Sequence, residues 1–218
     1  MDISKNHYDI EMLAKGLTPK RLERMRQVLA HRTRYLSIVL EDIYQPHNAS
    51  AVLRTCDAYG VQDIHVIQKN NVFTPNPEIS LGSAKWLDVH KYANTPTEQV
   101  YSTLRQQNYK IVAAALREDA TTPDMLDVSS GPIALIFGSE LNGLTEQALT
   151  QADETICIPM LGFVKSFNIS VSVAIILSQL MPKIRALGDA WHLSNREADE
   201  ILLEWLHSDV LHAPKGAG

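Results

Sequence analysis

The sequence predicts an α/β protein built on a largely parallel sheet with helices on both faces. Strand-length apolar segments alternate with helix-start signals along most of the chain. Two of the segments, Lys110 to Leu116 and Pro132 to Phe137, are continuously apolar in their interiors, as in strands buried on both sides. A chain of 218 residues with 45% hydrophobic content suffices for one well-buried core plus terminal additions and is crowded for two full domains.

Each element has a local cause. Thr18-Pro19 supplies a hydroxyl cap and a proline at the first helical position, and Leu22, Met25 and Leu29 recur at helical spacing, giving a basic amphipathic helix over about 19–31. Leu36 to Glu41 is short and β-rich, a first buried strand. The loop Tyr44-Gln-Pro-His47 leads into a helix over about 48–59, closed by Gly60. Val61 to Ile67 reads as a second strand, followed by an Asn/Pro-rich surface loop from Lys69 to Pro77. Thr95-Pro96-Thr97-Glu98 combines a capping box with a proline, so a helix should run to about Gln107. After the two apolar strands come a helix near 145–152, a strand near 155–158 and a long apolar helix over about 168–180. Ser194-Asn-Arg-Glu197 is a second capping box, and the helix it opens carries a stripe of Ile201, Leu202, Trp205 and Leu206 for packing on the body or on a second subunit. A disordered tail is expected over 212–218.

No apolar run approaches the roughly 20 residues that span a bilayer, and Met1-Asp-Ile-Ser-Lys-Asn lacks the apolar region of a signal peptide. The chain is therefore read as cytoplasmic and without a membrane partner. Cys56 and Cys157 form no Cys-x-x-Cys pair, and the histidines show no ligand spacing, so neither a disulfide framework nor a metal is expected. Residues 15–34 hold seven Lys/Arg against the single acid Glu23, a net of +6 in a chain of −5, which leaves −11 elsewhere. That asymmetry suits either a solvated helix face or a basic arm offering Lys15, Lys20, Arg21, Arg24, Arg26, Arg32 and Arg34 to phosphates.

Three separated segments carry polar groups beyond what packing demands. In Asn48-Ala-Ser-Ala-Val-Leu-Arg54, Asn48 is placed to cap its helix and Arg54 follows six residues on, either a snorkelling surface residue or a bidentate phosphate ligand; His47 is read as mainly structural, with some prospect of touching substrate. Phe137-Gly-Ser-Glu-Leu-Asn-Gly143 has glycines at the spacing of a nucleotide-triphosphate loop, but Leu144 replaces the lysine and Glu140 adds negative charge, so triphosphate is disfavoured. Its glycines either allow a cationic, adenine-bearing ligand to approach or simply cap a turn. In Ile158-Pro-Met-Leu-Gly-Phe-Val-Lys-Ser-Phe-Asn-Ile-Ser170, Ser166, Asn168, Ser170 and Ser172 are more groups than one helix cap needs. No Gly-x-Gly-x-x-Gly occurs, which disfavours a dinucleotide-binding fold.

In order and spacing these segments resemble the three motifs of the SpoU/TrmH branch of the SPOUT RNA methyltransferases, over about residues 18–185. Asn48 and Arg54 match the first motif, Gly138, Glu140 and Gly143 the second, Ser166, Asn168 and Ser170 the third. The resemblance implies a parallel sheet ending in a deep trefoil knot (35–185), flanked by a basic helical arm (1–34) and a helical extension with a flexible tail (186–218), working as a homodimer. It implies transfer of methyl from S-adenosylmethionine to a ribose 2′-hydroxyl of tRNA, at guanosine 18 in the D-loop. The alternatives are another tRNA position, ribosomal RNA, or a non-catalytic RNA-binding module.

The implied cofactor residues are Ala114, Leu116, Gly138, Gly143, Ile158, Met160 and Phe167. The implied catalytic set is Arg54, Asn48, Glu140, Ser166 and Asn168, with Arg54 reaching the partner subunit's cofactor; Lys20, Arg21, Arg24, Arg32, Arg34 and His47 are the expected RNA contacts. Two features depart from the family pattern. Phe167 and Ile169 stand where Leu and Val are usual, and the long helix is followed by only Lys183 and Arg185 as cations before an acidic final helix.

Overall fold

The computed structural model describes the backbone of residues 3–212 and the side chains of 8–209; 213–218, most of the expected tail, lie outside the described residues. Helix α1 (Ile3–Ala14) precedes α2 (Pro19–Leu29), whose Thr18 hydroxyl accepts the Arg21 N–H as the cap. Then follow β1 (Leu36–Glu41), α3 (Pro46–Tyr59), β2 (Asp63–Gln68), the short α4 (Pro77–Ser80), β3 (Asp88–Ala93), α5 (Thr97–Gln106), β4 (Lys110–Ala114), β5 (Ile133–Phe137), α6 (Glu146–Thr150), β6 (Glu154–Ile156), α7 (Ile169–Arg185) and α8 (Asn195–His212).

Residues 34–191 form one unit around a six-stranded sheet, all parallel, in the order β3-β2-β1-β5-β4-β6. Alternate side chains serve two cores. Ile38, Leu40, Val112, Leu135 and Phe137 meet Val52, Leu53 and Cys56 of α3 and Val173, Ile176 and Leu180 of α7. On the opposite face Val39, Ile111, Ala113, Ala134 and Ile136 meet Val100, Tyr101 and Leu104 of α5 and Ala148 of α6. This is the two-sided coverage that the continuous apolar strands predict.

The chain runs outward from β1 to β3 and then crosses to the other side of β1 to lay down β4 and β5. A topological switch point therefore lies between β1 and β5, where a crevice opens outside the carboxyl ends of the strands. Strand β6 is bonded along both edges. Ala115 N–H donates to Ile156 (3.0 Å) from the β4 side, and Thr121 N–H donates to Thr155 (3.1 Å) from the other.

Several elements differ from the sequence expectation. Helix α3 begins at Pro46, because proline is preorganised for the first helical position; Asn48 therefore sits inside the first turn and caps nothing. Strand β3 is unpredicted: Asp88-Val-His-Lys-Tyr-Ala is an edge strand whose half-exposed residues carry no apolar run. Helix α5 starts one residue late and the box does not form: the Thr95 hydroxyl donates to the Ala93 carbonyl (3.4 Å), and Glu98 accepts the Gln147 amide. Helix α7 continues through Pro182 to Arg185, because burial of Leu180, Met181 and Ile184 outweighs the one backbone bond that proline removes.

Residues 3–33 and 192–212 form a second unit, in which α8 packs on α1 and α2. The Ser194 capping box forms reciprocally, with Ser194 N–H donating to Glu197 (2.8 Å) and Glu197 N–H to the Ser194 hydroxyl (3.3 Å). The stripe Ile201, Leu202, Trp205 and Leu206 is buried in this unit.

Candidate active site

The three motifs meet at the crevice. Strand β5 ends at Phe137, and the chain turns at once: Ser139 and Gly143 exchange both backbone hydrogen bonds (3.1 and 2.9 Å), closing a tight loop. Gly143 has φ +68°, the left-handed region that favours glycine. At Gly138 a β-carbon would stand 2.0 Å from the Gly143 carbonyl carbon and 2.2 Å from the Leu144 nitrogen, so only glycine fits. The loop presents Glu140 toward the first turn of α3.

Asn48, 2% exposed, donates its amide to Glu140 at 2.6 Å. Its carbonyl oxygen accepts the Asn168 amide at 3.0 Å. Asn168 caps α7, its own oxygen accepting the Ser170 N–H (2.9 Å) and hydroxyl (2.7 Å). Glu140 also accepts the N–H groups of Tyr44 (3.2 Å) and Gln45 (3.4 Å). One directed chain, Ser170 to Asn168 to Asn48 to Glu140, thus ties Asn48 to two segments that lie 92 and 120 residues further along the sequence. With every amide orientation set by a partner, the cluster is rigid and oriented before any ligand arrives.

These residues rim a cavity of about 700 Å³. Ala114, Leu116, Ile156, Ile158, Met160, Phe167 and Ile176 form much of its apolar wall, with Gly138, Gly143, Glu140, Asn48, Ser166 and Asn168 at the polar side. All the residues expected to contact a cofactor line this one space. Lys165, Gln45, Ser139, Asn142 and Glu146 also line it and were not singled out from sequence, since single polar residues in loops carry no periodic signal.

Arg54 and His47 are exposed and do not line the cavity. Six residues along a helix amount to about 9 Å of rise and a rotation of about 240°, so Arg54 faces away from Asn48. Of the expected RNA contacts, Lys20 and Arg24 are exposed on α2, as is Arg26. Arg21 is engaged bidentately by Asp209 (2.9 and 2.8 Å). Arg32 is 1% exposed and lies over the Trp205 ring, and Arg34 is held by Asp63 (2.7 Å) and Asp88 (2.5 Å). The basic window is thus divided, part of it spent on internal charge pairs.

The match to the family model described as the SpoU rRNA Methylase family covers residues 35–178. The chain belongs to the SpoU family. Among SpoU relatives, the tRNA (guanosine(18)-2′-O)-methyltransferase of Borreliella burgdorferi is 38% identical over 201 residues, 92% of this chain and 91% of that protein. The enzyme of the same name from Thermus thermophilus is 37% identical over 191 residues, covering 87% and 97%. The crystal structure of the Aquifex aeolicus TrmH/SpoU tRNA modifying enzyme superposes with a TM-score of 0.78 at 32% identity, over 88% of this chain and 97% of that one. The SpoU match spans the whole sheet and the first ten residues of α7, and so takes in all three motifs.

Proposed function

We propose that this protein transfers the methyl group of S-adenosylmethionine to the 2′-hydroxyl of guanosine 18 in tRNA. The observation that carries this reading is the hydrogen-bonded convergence of Glu140, Asn48 and Asn168 at the cavity rim, in a chain that shares most of its length with enzymes named for that reaction.

The residues present suit the cofactor. An apolar wall of Ala114, Leu116, Ile158, Met160 and Phe167 accommodates a planar adenine, and the glycine turn 138–143 lets backbone approach closely. When bound, the cofactor supplies a sulfonium methyl, an electrophile that needs in-line approach of the ribose oxygen. Positioning is therefore the main task of the protein. Asn168 and Ser166 orient the ribose, and Asn48 and Glu140 hold Asn168 in place. Arg54 stabilises the developing alkoxide by charge.

Because Arg54 faces away from the cavity of its own chain, the same reading requires a homodimer in which each Arg54 serves the other cavity. The fully exposed Leu161 and Phe163, with Val164 beside them, favour such a contact. Lys20 and Arg24 are the α2 cations proposed to meet tRNA phosphates, with His47 at the substrate side. A C-terminal knot belongs to the proposal as well. Its support is the enclosure of β6 between β4 and Thr121, a residue that precedes β6 in the chain. No described helix is long and apolar enough to cross a membrane, and a cytoplasmic enzyme is proposed.

The test is transfer of labelled methyl from S-adenosylmethionine to unmodified tRNA transcripts, followed by mapping of the 2′-O-methyl nucleotide. Label at guanosine 18 is expected. Label only in ribosomal RNA would replace the substrate, and none on any RNA would overturn the reading.

A further inference from the structure

Glu41 closes β1 at the switch point and is 1% exposed, yet no motif includes it. Its carboxylate is surrounded by donors. Oε1 accepts Lys69 Nζ at 2.6 Å, the Thr145 hydroxyl at 2.9 Å and the Thr97 hydroxyl at 3.2 Å, and Oε2 accepts the Thr145 N–H at 3.0 Å. These donors begin three different segments: the loop after β2, helix α5 and helix α6.

Two of the four bonds go to Thr145, and they set where the glycine turn ends. Thr145 follows Gly143 and Leu144, both of which line the cavity. Its hydroxyl also accepts the Ala148 N–H at 3.2 Å as the cap of α6, so one side chain is fixed from both directions. The other end of the turn is fixed by β5, whose Phe137 is in register with Leu40 on β1. Glu41 thus ties the returning end of the turn to the strand beside the one from which the turn departs. A buried carboxylate saturated with donors is a stiff anchor, because each donor it lost would leave charge without a partner in a dry site.

We infer that Glu41 is a positioning residue for the cofactor turn: acting through Thr145, it holds Gly143 and Leu144 in the conformation that accepts S-adenosylmethionine. This rests on the methyltransferase reading above, and deepens it by assigning a residue outside the three motifs to the cofactor site. Lys69 and Thr97 balance and saturate the carboxylate, so their removal should weaken the fold without reaching the turn.

The experiment is calorimetric titration of the full chain with S-adenosylmethionine, alongside thermal unfolding and steady-state methyl transfer. Glu41→Gln and Thr145→Val should each weaken cofactor binding at least fivefold and raise the cofactor KM in step, with kcat at saturating cofactor within about twofold of the parent. Thr145→Ser, which keeps the hydroxyl, should restore parent affinity. Thr97→Val should lower the melting temperature while leaving cofactor affinity within twofold. If Glu41→Gln and Thr145→Val bind the cofactor as the parent does, or if Thr97→Val weakens binding equally, the carboxylate merely stabilises the fold and the inference is overturned. Failure of the parent protein itself to bind S-adenosylmethionine would instead remove the methyltransferase reading beneath it.

Discussion

Asn48→Asp replaces the amide that donates to Glu140 with a carboxylate of the same shape. The atoms now in contact stand 2.6 Å apart. Two unit charges about 4 Å apart repel by about 4 kcal/mol at an effective dielectric near 20. Glu140 is half-exposed, and solvent relaxation should reduce this to about 2–3 kcal/mol. The hydrogen bond lost to a charged acceptor is worth about 1.5–3 kcal/mol more. Both effects act on the arrangement that presents Asn168, so kcat/KM for methyl transfer to a tRNA transcript should fall by about a thousandfold.

Adding Glu140→Gln restores the pairing with reversed polarity. The glutamine amide donates to the new carboxylate, while its carbonyl still accepts the Tyr44 N–H. The double variant should be at least tenfold more active than Asn48→Asp alone, a coupling read from the four-protein cycle. If the two substitutions simply multiply, or if Asn48→Asp retains parent activity, the Asn48–Glu140 bond does not organise the site.

Gly138→Ala places a methyl 2.0 Å from the Gly143 carbonyl carbon, so the turn must open; cofactor affinity should fall more than tenfold, and undiminished binding in a calorimetric titration would contradict the geometry. Burial, followed by the positive charge of His90, pushes His65 down to about 4. The unfolded chain therefore takes up a proton below about pH 6.5 that the folded chain refuses, and stability is present above that pH and lost as pH falls toward 4, by at most about 3 kcal/mol. His90, raised by its bond to Asp63, works in the opposite sense, adding stability at low pH that is lost as pH rises through its folded value. Urea unfolding between pH 7.5 and 4.5 should thus show a shallower fall for His65→Gln than for the parent; equal slopes would exclude this histidine as the cause. Ser194→Ala removes one half of the α8 capping box and should destabilise by about 1 kcal/mol, visible as a lower urea midpoint; an unchanged midpoint would mean that the cap is dispensable.

The parallel sheet was legible because its inner strands are apolar on both faces and α3 closes at Gly60 between two of them. Strand β3 was hidden by its place at the edge, where Asp88, His90 and Lys91 satisfy solvent and neighbours rather than a core. Asn48 and Glu140 were recognisable only through motif spacing. The local cue to the true place of Asn48 was Pro46, whose preference for the first helical position sets the asparagine inside the first turn and frees its side chain for Glu140. The division of the basic window was illegible. Arg21, Arg32 and Arg34 read like Lys20 and Arg24, and only tertiary partners such as Asp209, Trp205 and Asp63 separate them. Glu41 gave a faint signal, an acid ending an apolar strand, whose meaning depends on Lys69, Thr97 and Thr145 arriving from elsewhere in the chain.

Methyl transfer to the 2′-hydroxyl of guanosine 18 is tested by changing a single atom of the substrate. Two tRNAs identical except for a 2′-deoxyguanosine at position 18 would be incubated with the protein and labelled S-adenosylmethionine. Stoichiometric label is expected in the ribose-containing tRNA and none in the deoxy form. Equal label in both would place the methyl group elsewhere and contradict transfer to that hydroxyl.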